Sequence, residues 1–453
     1  MRLPSVVKEI SRIFGKHGYE LYLVGGTVRD RILKRNTDKL DFDLATNASP
    51  KDVMKMFRRV IPTGIDHGTV TVLFRRCSFE ITTFRTESAY SDHRHPDDVA
   101  FASTIYEDIS RRDFTINSLA VNAFTGELLD TQNGLADLKS KTIRCIGDAK
   151  TRFSEDALRM LRGCRFASQL QFQIEPDTFS AMQDQAKLIR SVSAERIKDE
   201  LNGILSSDTP SAGLEYMRSG GLMEHIIPEL LEGRGVSQEG NQRYDVYYHS
   251  IYSCDGAGRD NLNLRWAALL HDIGKPAAKA EDAFGNIIFH GHEKMSCDTA
   301  GTILSRLRFA NRDKDRILRL ISLHMFNYTD AWSDSAVRRF LAQAGYDLVE
   351  DLFKLRYADQ YGTFGHHLRY DSLLNFKKRI EEVKQQHSAL SVRDLAVDGN
   401  DLMKDLSLQP GKHIGILLNA LLEAVLDDPE LNQRETLLTI ARSYYQEYLA
   451  KDH

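Results

Sequence analysis

Asp41 and Asp43 stand two residues apart in the segment DFDLAT, which reads as a short strand. Residues i and i+2 of a strand project from one face, so both carboxylates point into one space. Upstream, the β-prone run Leu21-Tyr22-Leu23-Val24 empties into Gly25-Gly26, and a helix-like segment bearing Arg29 and Asp30 follows. The paired glycines let backbone approach a phosphate, the helix behind them offers N–H groups and its dipole, and Arg29 is placed to grip the anion in bidentate fashion. Two carboxylates beside a phosphate cradle suit Mg²⁺-dependent phosphoryl or nucleotidyl transfer, in which two metal ions about 3.5–4 Å apart clamp the attacking and leaving oxygens. Taken singly, Gly-Gly is an ordinary turn and D-x-D is common at strand ends; their order and closeness carry the reading.

A second group lies in SEDALRMLRGCRFASQL, residues 154–170. Ser154 reads as the N-cap of a helix on which Asp156, Arg159, Arg162 and Arg165 recur every third residue along one face, with Leu158, Leu161 and Phe166 on the buried side. A charged stripe is ordinarily a solvated face. The chemistry of the bases offers more. Cytosine and adenine each present an exocyclic amine beside a ring-nitrogen acceptor, so a carboxylate (Asp156) and an arginine (Arg159) would accept both. Uracil and guanine present an oxygen beside a ring N–H and would leave both partners unmet.

The motifs Gly25-Gly26-x-Val28-Arg29-Asp30 and Leu40-Asp41-Phe42-Asp43-Leu44-Ala45-Thr46 give the chain a family likeness. It resembles the nucleotidyltransferases that build the CCA end of tRNA, in the class shared by bacteria and eukaryotes. The resemblance implies CTP and ATP as substrates, the tRNA 3′ end as acceptor and Mg²⁺ on Asp41 and Asp43. It also implies a triphosphate seat of Gly26, Arg29 and Arg112, with Arg162 and Arg165 on nucleotide or RNA phosphates beside the Asp156–Arg159 pair. In RRDFTIN, Asp113 and Asn117 read as buttresses or ribose contacts, and Glu195 and Arg196 as a brace for the selecting helix. Glu80 alternates with Phe79 and Ile81 and is read as a third carboxylate near the metals, although an ordinary exposed strand residue fits the pattern equally. The polar segment 85–108 reads as a mobile loop; in the family it is a flexible element needed to pass from adding C to adding A, and His95 stands where a second arginine often does.

Farther on come His249, the pair His271-Asp272, His292, His324 and Asp359. Imidazoles with carboxylates suit a divalent transition metal that activates water. Gly274-Lys275-Pro276 would end a helix directly after the pair and leave it at a cleft mouth. The order H…HD…D resembles the HD-superfamily phosphohydrolases, which makes His249, His271, Asp272 and Asp359 the metal ligands and His292 and His324 phosphate or second-metal groups.

These groups need a scaffold of several domains, which 453 residues allow. The expected class is α+β. A polymerase-β-like nucleotidyltransferase head of mixed sheet and helices spans 1–145, and all-helical parts follow: a nucleotide-selecting neck (146–235), an HD-like domain (240–375) and a tRNA-binding tail (376–453). In the tail, Gly411-Lys412-His413 opens a helix that can offer N–H groups to RNA phosphates. Five scattered cysteines without C-x-x-C pairing point to a reducing cytoplasm and against a disulfide framework or cysteine zinc site. No apolar run reaches the length of a membrane span, and no protein partner is evident. With a net charge of −4, RNA must be held by local basic surface rather than by overall charge. Two other readings stay open: an adenylyltransferase of the same fold that adds only A, and an HD phosphohydrolase or 3′-end repair enzyme whose head merely binds RNA. A non-catalytic RNA-binding protein would need neither set of metal ligands.

Overall fold

The computed structural model describes residues 1, 3–35, 41–65, 68–88, 98–238, 243–366, 371–386 and 389–451. They divide into two compact units, Met1–Val236 with Arg259–Arg265 and Thr302–Ala310, and Ser237–Gly258 with Trp266–Gly301 and Asn311–His453.

The first unit is built on a mixed seven-stranded sheet. Its strands are β1 (Leu21–Val24), β2 (Asp41–Thr46), β3 (Val60–Gly64), β4 (Thr69–Phe74) and β5 (Cys77–Thr83), with β8 (Ala120–Asn122) and β9 (Leu128–Leu129) in the order β3-β4-β5-β2-β1-β8-β9. Only β2 and β5 run parallel. Strict alternation drives both: in β2, Phe42 and Leu44 are buried while Asp41 and Asp43 are exposed, and in β5, Phe79 and Ile81 are buried on either side of exposed Glu80. β4 and β5 are joined by Arg75-Arg76, both with positive φ, the backbone of a two-residue hairpin turn. β3 was not expected; with Pro62 and exposed Ile61 it lacks the apolar alternation of a central strand and sits on the edge, where proline is tolerated.

Helices cover the sheet. The N-terminal amphipathic segment forms α1 (Ser5–Lys16), which buries Val7, Ile10 and Phe14; α2 is Gly25–Ile32; α3 (Pro50–Met56) is N-capped by Ser49, whose side chain accepts from the Asp52 N–H. The described residues of the segment 85–108, read above as a loop, include regular structure. β6 (Arg85–Ser88) pairs antiparallel with β7 (Asp98–Phe101), and α4 (Ile105–Ser110) starts from a Thr104/Glu107 capping box. Asp92, His93, Arg94, His95 and Pro96 lie outside the described residues. Helices continue as α5 (Gly134–Ser140), α6 (Ala149–Glu155), α7 (Leu158–Leu170), α8 (Pro176–Gln185) and α9 (Ala194–Leu205).

The second unit is helical apart from a short hairpin, Ala280–Glu281 with Ile287–Ile288. The helices Val246–Gly256 and Tyr346–Phe364 lie so close that a Cβ on Gly362 would stand 2.1 Å from Ser253 Oγ. The expected boundary at 375/376 falls inside the helix Asp371–Gln385, whose buried Phe376 packs among Phe326, Tyr328, Trp332, Phe340 and Phe353. The C-terminal helices close on a separate core that includes Leu402, Leu421, Val425 and Leu437. Among the described residues, no helix is long and apolar enough to cross a membrane.

Candidate functional site

The parallel pairing of β2 with β5 sets Asp43 beside Glu80 and Asp41 beside Ser78. Asp43 and Glu80 therefore share one wall of a cleft of about 810 Å³. Asp41, exposed at the first residue of its strand, is not among the residues lining it. Although Asp43 keeps solvent-accessible surface, desolvation by the surrounding cleft raises its pKa, with the Asp41 charge adding to it, against the pull of Arg112, Thr27 and Arg29. Burial and the neighbouring Asp43 raise Glu80 in turn. Carboxylates crowded this closely favour a hard cation among them, and their oxygen donors fit Mg²⁺.

Gly25 explains how the backbone comes so close. Its φ is +64°, and a Cβ there would sit 3.2 Å from Arg112 Nη1 and 3.8 Å from Asp43 Oδ2, filling the gap between cation and carboxylate. Thr27, two residues along α2, contributes a hydroxyl 3.4 Å from both the Asp43 carboxylate and its N–H.

The facing wall is a network of arginines, each held by a partner. Arg29 bonds Asp30 at 2.8 Å and Asn117 at 2.7 Å; Asn117 donates to Asp113, and Asp113 bonds Arg162 at 2.7 Å. Asp113 and Asn117 thus buttress as read. Although burial opposes it, Arg162, Asn117 and the Phe114 N–H pull the Asp113 pKa down to about 2. Asp108 holds Arg111 and Arg112. Arg165 pairs at 2.6 Å with Glu200 on α9, a residue that helical periodicity did not single out. Of the proposed brace, Arg196 bonds Asp156 at 2.7 Å and also lines the cleft.

The selecting pair differs from expectation. Asp156 and Arg159 are not on one helix: α6 ends at Glu155, Asp156 is extended (φ −142°, ψ 104°), and α7 starts at Leu158. The cause is local. The Asp156 carboxylate accepts from the Leu158 N–H at 3.1 Å, a capping bond that competes with helix continuation. Ser154 is likewise no N-cap; it lies inside α6, which Asp148 caps, and its hydroxyl donates to the Lys150 carbonyl. Asp156 and Arg159 nonetheless line the same cleft. Arg159 is steadied by Glu155 and by the carbonyls of Arg152 and Arg111. Each Asp156 oxygen, already accepting one bond, keeps a second lone pair for an exocyclic amine.

In the second unit, His249, His271, Asp272, His292, His324 and Asp359 converge. Asp272 is central: Oδ2 lies 3.2 Å from His249 Nε2 and 3.3 Å from His271 Nε2, while Oδ1 lies 3.3 Å from His292 Nε2 and 3.7 Å from His324 Nε2. Asp359 Oδ1 is 3.2 Å from His249 Nε2 and 3.7 Å from His271 Nε2. His249, His271 and Asp272 make one candidate metal-holding group and Asp272, His292 and His324 a second, the two sharing Asp272. The ring orientations are fixed from behind. The Nδ1 atoms of His271, His292 and His324 donate to the carbonyls of Ala268, Phe289 and Ile321, which turns each Nε2 atom inward. His292 Nε2 and His324 Nε2 then face each other at 3.3 Å, an arrangement suited to a cation between them. Nitrogen and oxygen donors together fit a divalent transition metal. His271 and Asp272 are 1% and 2% exposed, so they do not stand at a cleft mouth; the helix Leu262–Leu270 ends just before them and seats them in the core. Lys275 Nζ lies 2.6 Å from Asp272 Oδ2. Burial disfavours a charged His271, but Asp272 and Asp359 push its pKa up to about 10.

Comparison with known proteins follows this geometry. Residues 21–144 match the Poly A polymerase head domain, 171–233 a probable RNA- and SrmB-binding site of polymerase A, and 288–441 a putative tRNA nucleotidyltransferase domain 2. The CCA-adding enzyme of Enterococcus faecalis is 32% identical over 443 residues, covering 97% of each chain. That of Lactiplantibacillus plantarum is 33% identical over 447 residues with the same coverage. The crystal structure of the Bacillus stearothermophilus CCA-adding enzyme in complex with CTP superposes with a TM-score of 0.73 at 25% identity over 100% of both chains. Full-length similarity of this extent, on the carboxylate-and-arginine cleft just described, makes the chain a member of the CCA-adding enzyme family.

Proposed function

We propose that the chain adds C, C and A in turn to the 3′ end of tRNA from CTP and ATP, without a nucleic-acid template. The observation that carries this reading is the cleft wall, which among the described residues sets eight arginines and four carboxylates around a space joined to Asp43. Such a surface holds a polyphosphate and leaves acid where metal is needed. Asp41 and Asp43, with Glu80 beside them, would hold Mg²⁺, which when bound supplies charge neutralisation at the phosphates and activation of the 3′-hydroxyl. Gly26, Arg29 and Arg112 seat the triphosphate, while Arg162 and Arg165 extend that cationic wall. Asp156 accepts from the amine of cytosine or adenine and Arg159 donates to the adjacent ring nitrogen, so the protein serves as template. Positioning and electrostatics supply most of the rate. The C-terminal helices, with Gly411-Lys412-His413 at the start of Lys412–Asp427, serve the body of the tRNA.

The test is extension of three tRNA transcripts, ending at the discriminator base, at C and at CC, with CTP, ATP or both in Mg²⁺. Growth of the shortest to CCA is expected. Extension of the CC-ended transcript alone would replace this reading with the A-adding one.

A specific observation favours an additional activity. The inward-turned Nε2 atoms around Asp272 support a metal-dependent phosphohydrolase centre, with His249, His271, Asp272 and Asp359 as ligands and His292 and His324 completing a second group. Hydrolysis of a phosphate ester dependent on added Mn²⁺ or Ni²⁺, and lost in His271→Ala, would support it. No metal-stimulated turnover would remove it.

A further inference from the structure

The selecting helix carries one aromatic side chain that the charged-stripe reading placed on its buried side. Phe166 is 4% exposed, yet it lines the cleft. Three guanidinium carbons lie over its ring: Arg165 at 4.5 Å from the centroid, Arg29 at 5.1 Å and Arg162 at 5.5 Å. Arg29 comes from α2 and the other two from α7. Their polar partners are Asp30 and Asn117 for Arg29, Asp113 for Arg162 and Glu200 for Arg165, with Glu200 also 3.9 Å from Arg162. Among the described residues no one carboxylate pairs with all three; the ring is what they share. Phe166 is itself fixed edge-to-face by Phe114, with centroids 5.9 Å apart and planes at 88°.

We propose that Phe166 is a positioning residue for nucleotide binding, the common surface that sets Arg29, Arg162 and Arg165 at a spacing matched to a triphosphate. Three like charges repel one another at such separations. The negative face of the ring attracts each of them without using N–H donors, so those not already bonded to Asp30, Asn117, Asp113, Glu200 or Gln169 are left for phosphate oxygens. A carboxylate in the same place would neutralise the charge and compete with the ligand. An aliphatic side chain would fill the volume without holding the cations. The base plays no part, so both nucleotides feel the effect equally.

This inference rests on the nucleotidyl-transfer reading, and the experiment separates the two. Full-length wild type, Phe166→Leu and Phe166→Tyr are compared for binding of inorganic tripolyphosphate, CTP and ATP by calorimetry, and for KM and kcat in tRNA extension. Phe166→Leu should weaken all three ligands alike by about tenfold, the scale of a few cation–π contacts. It should raise KM much more than it lowers kcat, and leave the preference for C and A over U and G intact. Phe166→Tyr should restore binding. Unchanged tripolyphosphate affinity in Phe166→Leu would overturn the proposal, as would lost base choice with intact phosphate binding, or a tyrosine variant no better than leucine. Should Phe166→Leu fail to fold, Phe166→Met carries the comparison; if that fails too, the residue is core packing and the proposal falls. Failure of the wild type to extend tRNA would instead remove the activity reading, which tripolyphosphate binding does not test.

Discussion

The head cleft and the histidine cluster both gather carboxylates among basic side chains, yet they hold their charged groups in opposite ways. In the head, Asp43 and Glu80 are exposed on strands, and arginines come from α2, the segment after α4, α7 and α9, each tied to a neighbour. In the second unit the clustered residues are themselves part of the core: His249, His271, Asp272, His292 and His324 are all at most 4% exposed, and three rings are oriented by backbone carbonyls. An open site of prepaired arginines can admit different bases and a growing RNA end. A closed group of locked imidazoles leaves little freedom for such variety. The contrast teaches that charged groups can be held either by paired side chains around an open space or by a locked core.

The sharpest way to break the comparison is to remove ligands from each site in turn. Asp43→Ala should lower nucleotide addition about a thousandfold or more while leaving any phosphohydrolysis intact, and His271→Ala with Asp272→Ala should do the reverse. Equal loss of both activities from either variant would mean the sites are not independent. Next in size, Arg159→Ala should reduce discrimination of C and A against U and G about 10–100-fold, read from misincorporation kinetics. Unchanged fidelity would refute the selecting pair.

Closure itself can be tested with metal. Addition of Mn²⁺ or Ni²⁺ without nucleotide should raise the unfolding midpoint through the buried cluster, the added stabilisation being about 2.7 kcal/mol at a hundred times Kd. The His271→Ala variant should lose that shift, whereas Asp43→Ala should keep it. Asp113 probes the head network through pH. Its folded pKa of about 2 lies below the ordinary 3.8, so the stability it contributes is present above pH 4 and is lost as pH falls toward 2. Comparing Asp113→Asn with wild type by denaturant titration should show a deficit of about 2–3 kcal/mol near pH 6 that closes by pH 2. The smallest effect belongs to Thr27. Its 3.4 Å contacts with Asp43 are long, so Thr27→Ala should cost about 0.5–1 kcal/mol of transition-state stabilisation, a two- to fivefold fall in kcat/KM.

What could be read from sequence follows the range of the interactions involved. β1, the Gly-Gly entry to α2, β2 and β5 were legible because local alternation and glycine geometry determine them. The six metal-ligand candidates of the second unit were legible as residue types, but their burial was not, since it depends on helices Val246–Gly256 and Tyr346–Phe364 meeting across about a hundred residues of chain. The break at Asp156 was hidden by a continuous helical period; the sole hint was an aspartate placed to cap the Leu158 N–H. Glu200, the aromatic role of Phe166 and the β6–β7 pairing rest on contacts between distant segments, which no local pattern records.

The parallel register of β2 with β5 carries a consequence for how such a chain can change length. Glu80 reaches the cleft only because it lies opposite Asp43, and the side-chain period in a strand is two. One residue inserted between Cys77 and Glu80 would turn the carboxylate toward the core and bring Phe79 to face the nucleotide, unless a bulge absorbed it. The same insertion at Arg75-Arg76, a surface turn, would only lengthen a hairpin. Insertions and deletions in relatives that still add nucleotides should therefore collect at that turn and avoid the few positions after it.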